Sequence, residues 1–226
     1  MLWKKWKKLY HEIEKDFGFS YEREIRARDY LSKLLGDRFI RENEIKKFIG
    51  NEVYIIGFSP TLEKEIELIP KNARIIAADD AAVVLHQNDI EPDIILTDLD
   101  GELDSLIKIR NAIFGIHAHG DNIDLLPYVD FFNKRFGTTQ IEPIWNVYDF
   151  GGFTDGDRGV FLAHHFGAKI HIIGFDFNTP RVKENKDAEI KRKKLRWASF
   201  LISYLQKEGA NIVWENLNSQ ESWENE

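Results

Sequence analysis

A chain of 226 residues, 43% of them hydrophobic, can bury a substantial core, which excludes bulk disorder. A formal net charge of -7 excludes broad affinity for nucleic acid, which needs a basic face to displace counterions. Cysteine is absent, so disulfide frameworks and thiolate chemistry are excluded, and no apolar run approaches the ~20 residues that span a bilayer. The basic N-terminus, MLWKKWKKLYHEIEKDF, lacks the continuous apolar stretch of a signal peptide, and the cytoplasm is the expected compartment.

Taken in chain order, Trp3, Trp6, Leu9, Tyr10, Ile13 and Phe17 recur at helical spacing until Gly18 stops the pattern. Ser20 caps a second helix that runs to about Leu35 and ends at Gly36, and a third short helix covers residues 41–49. Residues 1–50 thus form a helical N-terminal segment. Its aromatics suit a core or a contact between subunits, which leaves a homodimer open. The texture then changes. VYIIGF (53–58), ARIIAA (73–78), IILT (94–97) and AIFGIHA (112–118) are apolar runs suited to strands buried on both faces. Ser59-Pro60 suits the start of a helix over TLEKEIELI, and helices over AAVVLHQ and SLIKIR separate the next strands. IEPIWNV (141–147) is the expected fifth strand, placed at a sheet edge by Pro143. A helix over GVFLAHHF, a strand at 169–175, a long helix at about 187–207 and a strand at 211–214 follow, before a flexible tail at 216–226. The basic run Lys191-Arg192-Lys193-Lys194 reads as a solvated helix face that could still touch phosphate. This alternation predicts an α/β fold over residues 51–215: a Rossmann-like, mostly parallel sheet with helices on both faces.

In open parallel sheets, ligands bind beyond the carboxyl ends of the strands. Gly57 and Ser59 follow the first strand and open a helix whose amides could receive a phosphate. Asp79 and Asp80 follow the second strand, and Asp98 and Asp100 the third. His117, His119, Asp121 and Asn122 follow the fourth, Thr154, Asp155, Asp157 and Arg158 open the GVFLAHHF helix, and Asp176 follows the strand at 169–175. A single Asp in such a place is explained by helix capping. Acids on so many neighbouring strand ends repel one another unless cations sit among them. Hard oxygen ligands of this kind suit magnesium bound together with substrate phosphates.

Asp98-Leu99-Asp100-Gly101 resembles the nucleophile motif of haloacid-dehalogenase-type phosphatases, in which Asp98 would attack phosphate and Asp100 would act as acid and base. The spacing opposes that reading. Its last acidic element would be Gly120-Asp121-Asn122-Ile123-Asp124, which leaves room for only one helix and one strand after Asp98. Two strand–helix units also precede a motif that usually opens its domain, and Glu102 stands where Thr is usual.

Ala78-Asp79-Asp80-Ala81-Ala82 with Pro92-Asp93-Ile94-Ile95-Leu96-Thr97-Asp98-Leu99-Asp100 is similar to thiamine pyrophosphokinase, although residues from 187 onward read as helix and strand rather than as that family's C-terminal β-sandwich. Four motifs in order resemble the archaeal 6-hydroxymethyl-7,8-dihydropterin pyrophosphokinase family over roughly residues 50–215: Thr97-Asp98-Leu99-Asp100-Gly101, His117-Ala118-His119-Gly120-Asp121-Asn122, Gly151-Gly152-Phe153-Thr154-Asp155-Gly156-Asp157-Arg158 and Gly174-Phe175-Asp176-Phe177. The resemblance implies magnesium-dependent transfer of the terminal diphosphate of ATP to the pterin's hydroxymethyl oxygen, releasing AMP, in folate or methanopterin-type cofactor synthesis. Asp98, Asp100 and Asp121 are then the expected catalytic and magnesium-binding carboxylates, with Asp121 alternatively the base near the attacking hydroxyl. ATP and its phosphates are expected at Gly57, Ser59, Asp79, Asp80, His119, Asn122, Thr154, Asp155, Asp157 and Arg158. Asp176 is expected at the pterin's N–H edge, with Phe177 or Phe175 against its ring. Thiamine pyrophosphokinase proper and a nucleotide-binding regulator without turnover are the alternative functions.

Overall fold

The apolar runs become strands because both of their faces are covered. The computed structural model describes residues 3–181 and 187–215. In it β1 (Glu52–Ile56), β2 (Ile75–Ala78), β3 (Ile94–Thr97), β4 (Ile113–His117), β5 (Arg135–Thr138), β6 (Val147–Tyr148), β7 (Lys169–Ile173) and β8 (Ile212–Trp214) form one sheet. Its order is β6-β5-β4-β3-β2-β1-β7-β8, with every neighbouring pair parallel. Around it lie α1 (Trp3–Phe17), α2 (Tyr21–Leu35), α3 (Glu42–Ile49), α4 (Leu62–Glu65), α5 (Asp80–Gln87), α6 (Leu103–Leu106), α7 (Asp155–His165) and α8 (Ala188–Lys207).

Successive strand residues face opposite sides and feed two cores. On one side Val53, Ile55, Ile76, Ile94 and Leu96 join Trp6, Ile13 and Ile45 from the N-terminal helices, Phe161 from α7 and Leu201 from α8. On the other, Ile56, Ile75, Ala77 and Ile95 join Leu31 and Leu35 from α2 and Leu85 from α5. The N-terminal helices therefore share their cores with the sheet. Trp6 is 1% exposed, its ring lies 5.6 Å from Phe161, and its indole N–H donates to the Gln140 carbonyl at 2.9 Å. Trp6 and Tyr10 are thereby removed from any contact between subunits.

Several expected elements differ. The fifth strand is Arg135–Thr138, not 141–147; of the latter only Val147 lies in a strand, β6. Arg135 disguises the strand, yet it is buried and donates to the Phe132 carbonyl at 2.7 Å and to Asp130 at 2.9 Å. The helices expected over TLEKEIELI and SLIKIR are single turns, α4 and α6, and the first tightens into a 3₁₀ turn at Ile66–Leu68. Thr61 rather than Ser59 precedes α4, without a side-chain cap. The tail expected at 216–226 lies outside the described residues. Among those described, no helix is long and apolar enough to cross a membrane.

The sheet winds outward from β1, through β2 on one side and β7 on the other, so the crevice between β1 and β7 is the topological switch point. Two glycines let the strand ends meet there. A Cβ on Gly57 would stand 2.5 Å from the Gly174 carbonyl oxygen, and one on Gly174 2.4 Å from the Gly57 oxygen. The site described next lies along this carboxyl edge.

Candidate active site

β2 and β3 end side by side, and their loops leave the sheet in strained conformations. Asp79 (φ 41°) and Leu99 (φ 68°) both have positive φ, a departure that costs of order 1–3 kcal/mol each and tends to collect at functional sites. Thr97 ties the two loops together: its hydroxyl donates to Asp79 Oδ1 at 2.6 Å and accepts the Leu99 N–H at 2.9 Å. Gly101 closes the turn where no side chain fits, since a Cβ there would stand 2.3 Å from Asp79 Oδ2 and from Asp80 Oδ1. α7 arrives from the opposite wall, started by a capping box between Thr154 and Asp157. Asp155, in its first turn, meets the two strand ends. One carboxylate oxygen each from Asp79, Asp98 and Asp155 all lie within 4.8 Å of one another.

This convergence has electrostatic consequences. Burial works to raise the Asp98 pKa, but His119 and the Asp100 N–H outweigh it and hold the carboxyl far below its usual range. Asp155 goes the other way: burial and the charges of Asp98, Asp79 and Asp100 push it well above the usual value, and Arg158 offsets this only in part. The same crowding thus drives the two carboxyls in opposite directions, Asp98 towards ionisation and Asp155 away from it. The nearest basic nitrogens stand beyond hydrogen-bond distance, His119 Nε2 at 3.5 Å from Asp98 and Arg158 Nε at 3.8 Å from Asp155.

The loop after β4 is clamped from two sides. Asn122 donates to the carbonyls of Asp98 and His117, each at 2.7 Å, and accepts the His119 N–H at 3.0 Å. The Asp121 N–H donates to His119 Nδ1 at 3.2 Å, which leaves Nε2 to carry a proton towards Asp98. From α2, Glu24 accepts the Gly120 N–H at 2.9 Å and Gln140 Nε2 at 3.0 Å, and Arg23 pairs with Asp121 at 3.2 Å. His117 is buried and neutral: burial first, then Arg158 and His119, lower its pKa well below the usual value.

A cavity of about 350 Å³ joins most of the expected residues: Gly57, Ser59, Asp79, Asp98, Asp100, His119, Asp121, Thr154, Asp155, Arg158, Asp176 and Phe177 all line it. Three do not. Asp80 is buried and accepts the Glu102 N–H at 2.7 Å. Asn122 is occupied in holding its loop. Asp157 is fully buried and accepts from the N–H groups of Phe153 at 2.6 Å and Thr154 at 2.8 Å and from the Thr154 hydroxyl. These three build the rim rather than face its contents. The helix expected to present Gly57 and Ser59 to a phosphate is only the single turn α4, too short for the N-terminal field that expectation used. Arg158, expected to bind phosphate, is buried: its two Nη atoms donate to the carbonyls of Gly152 at 3.0 Å and Phe153 at 2.9 Å, and its Nε lies 3.8 Å from Asp155. At the other end, Asp176 Oδ1 accepts the N–H groups of Asn178 at 2.8 Å and Thr179 at 3.0 Å, and Phe175, Phe177 and Trp214 meet edge to face. Phe19 and Gln140 also line it and escaped the sequence reading, whereas Lys191 and Lys194 bring to it the basic run that was expected to be able to touch phosphate. Phe19 and Gln140 carried no such signal.

The family described as 6-hydroxymethylpterin diphosphokinase MptE-like matches residues 32–181. The chain belongs to this family. Three archaeal relatives named 6-hydroxymethyl-7,8-dihydropterin pyrophosphokinase match almost end to end. That of Pyrococcus furiosus is 41% identical over 94% of this chain and 98% of its own. Those of Methanocaldococcus jannaschii and Methanothermobacter thermautotrophicus are 38% and 35% identical, each over 90% of this chain and 95% of their own. Among solved structures, the MAf glycosyltransferase of Magnetospirillum magneticum AMB-1 overlaps 61% of this chain and 25% of its own at 21% identity and a TM-score of 0.43, a likeness too loose to carry an argument.

Proposed function

We propose that this family member transfers the terminal diphosphate of ATP to the hydroxymethyl oxygen of 6-hydroxymethyl-7,8-dihydropterin, releasing AMP, with magnesium held by the acidic cluster. The observation that carries this reading is the convergence of Asp79, Asp98 and Asp155 within 4.8 Å beside a cavity of substrate size. The donors fit the ion: all are hard carboxylate oxygens, and their mutual repulsion is relieved by a divalent cation. Asp79, Asp98 and Asp155 would hold it, with Asp100 beside them on the rim. Magnesium bound there supplies neutralisation and orientation of the phosphates.

The chain's own residues do the rest. The new bond joins the alcohol oxygen to the β-phosphorus, the bond from that phosphorus to the AMP oxygen breaks, and the alcohol proton leaves. Asp121, at the mouth of the cavity in the loop held by α2, is the carboxylate we assign to receive that proton. His119 fixes the direction of Asp98. Phe177 and Phe175 offer ring faces to the pterin, and Asp176 offers a carboxylate to its N–H edge. The product belongs to folate or methanopterin-type cofactor synthesis in the cytoplasm.

A product assay tests the reading. The protein is incubated with ATP and magnesium, with the pterin or with thiamine, and AMP, ADP and inorganic phosphate are resolved. AMP equal to pterin diphosphate, dependent on the ion, is the expected result. ADP with a pterin monophosphate contradicts diphosphate transfer, AMP with thiamine alone moves the acceptor to thiamine, and phosphate without acceptor dependence restores the phosphatase reading.

A further inference from the structure

The first half of α8 forms one wall of the cavity, with Asp187, Ile190, Lys191, Lys194, Leu195 and Ala198 facing inward at helical spacing. This helix lies beyond residues 32–181, which the family match covers. It is firmly seated. Lys193 pairs with Asp16 at 2.7 Å, the Trp197 indole donates to Asp16 at 2.7 Å, and Leu201, Ile202 and Leu205 are buried in the core. The basic run is therefore split by the helix. Lys193 is held on α1 and Arg192 pairs with Glu189 in its own turn, while Lys191 and Lys194 reach the cavity.

The cavity's two arginines are already engaged. Arg158 gives its Nη groups to two carbonyls, and Arg181 pairs with Glu63 at 2.8 Å and lies over the Phe58 ring at 4.1 Å. Lys194 differs. Among the described residues it pairs with no carboxylate; its Nζ lies 6.0 Å from the centroid of the Phe153 ring. Its charge also favours the ionised form of Asp98. A half-buried ammonium on a flexible stem beside a phosphate-sized space suits a compact anion.

Resting on the proposed function, we infer that Lys194, with Lys191 one turn before it, binds the β- and γ-phosphates of the nucleotide from the wall opposite the acidic cluster. The phosphate chain would then lie between Asp79, Asp98 and Asp155 on one side and two ammonium groups on the other. The donor's diphosphate end would be recognised by an element outside the matched segment.

Calorimetric titration with α,β-methylene-ATP and magnesium tests this without any transfer, because the bond to be broken is blocked. AMP, which lacks the outer phosphates, is titrated in parallel. Lys194→Met, which keeps the stem, is expected to weaken the analogue by roughly tenfold or more, the loss of one charge-assisted hydrogen bond, and to leave AMP within about twofold. Lys191→Met acts in the same direction, Lys194→Arg restores most of the affinity, and Lys193→Met changes neither ligand. Thermal unfolding of each variant separates misfolding from lost contacts. Unchanged affinity of the folded Lys194→Met and Lys191→Met variants for the analogue overturns the inference while leaving diphosphate transfer standing. Equal loss for AMP and the analogue in folded Lys194→Met also overturns it, since that marks a general disturbance. Absence of analogue binding by the unaltered protein overturns both.

Discussion

Two groups of acids sit on the same sheet and are handled in opposite ways. Within β7, His171 lies between Glu215 at 2.6 Å and Glu52 at 2.7 Å, Lys169 adds a second partner to Glu52 at 2.8 Å, and the Tyr54 ring stacks on the imidazole at 4.4 Å. The acids there meet basic groups at contact distance. At the carboxyl edge, Asp79, Asp98 and Asp155 crowd together while the nearest His119 and Arg158 nitrogens stand at 3.5 and 3.8 Å. The first group is complete and serves the fold. The second gathers carboxylates in strained loops, and it is this contrast on which the proposed metal site rests.

Breaking each group separates these roles. Asp98→Asn removes the one cluster carboxylate held strongly ionised, and transfer activity is expected to fall on the order of 10³-fold in steady-state kinetics, with the fold retained. The magnesium-dependent rise in unfolding temperature should vanish with it. His171→Leu does the reverse. It leaves Glu52 and Glu215 without their shared partner, and denaturant unfolding should show a loss of about 2 kcal/mol, discounted for the exposure of Glu52, with kcat within twofold of the unaltered protein.

Asp155→Asn sharpens the contrast, because a repelled, half-buried acid is replaced by a neutral amide. Without magnesium the variant should melt about 2–4 °C higher, the shift that ~1 kcal/mol gives in a chain of this size, and magnesium should no longer add as much. A smaller effect appears with pH. Asp155, and Asp149 with its pKa pushed up to about 7 by burial, bind protons more tightly folded than unfolded. Their contribution to stability is therefore present below the ordinary carboxylate value of about 4 and is lost as pH rises through their folded values. Asp98, held low, acts in the opposite sense and loses its contribution only as pH falls below about 4. Metal-free protein should thus lose stability between about pH 5 and pH 7 in thermal melts, and magnesium should flatten that slope.

Much of the fold was legible because burial on both faces writes strands as apolar runs. Residues 94–97 became β3 with unchanged limits, and 169–175 contains β7. β5 was hidden because Arg135 and Gly137 interrupt such a run. The arginine is stabilised by local carbonyl and carboxylate partners, and Gly137 is forced by Leu35, whose Cδ1 would stand 2.8 Å from an added Cβ. The acidic rim was equally legible, since each of its residues follows a strand or opens a helix. Which acids converge was not. Asp155 comes from a helix far along the chain, and only the packing of α7 against β2 and β3 brings it to Asp79 and Asp98. Asp157, two residues on, has the same sequence credentials and turns inward as a cap. Helical phase decides the lysines too: the basic run looks uniform until α8 docks and sends Lys191 and Lys194 to the cavity but Lys193 to Asp16.

The position of the ion is the decisive observation. Crystals grown with manganese in place of magnesium and with α,β-methylene-ATP would reveal it by anomalous diffraction. The expected result is a peak about 2.1 Å from oxygens of Asp79, Asp98 and Asp155, close to the distance magnesium itself takes, with nucleotide phosphate in the same coordination shell. A nucleotide seated in the cavity with no peak at these three carboxylates, or with the ion held elsewhere on the rim, would contradict the account.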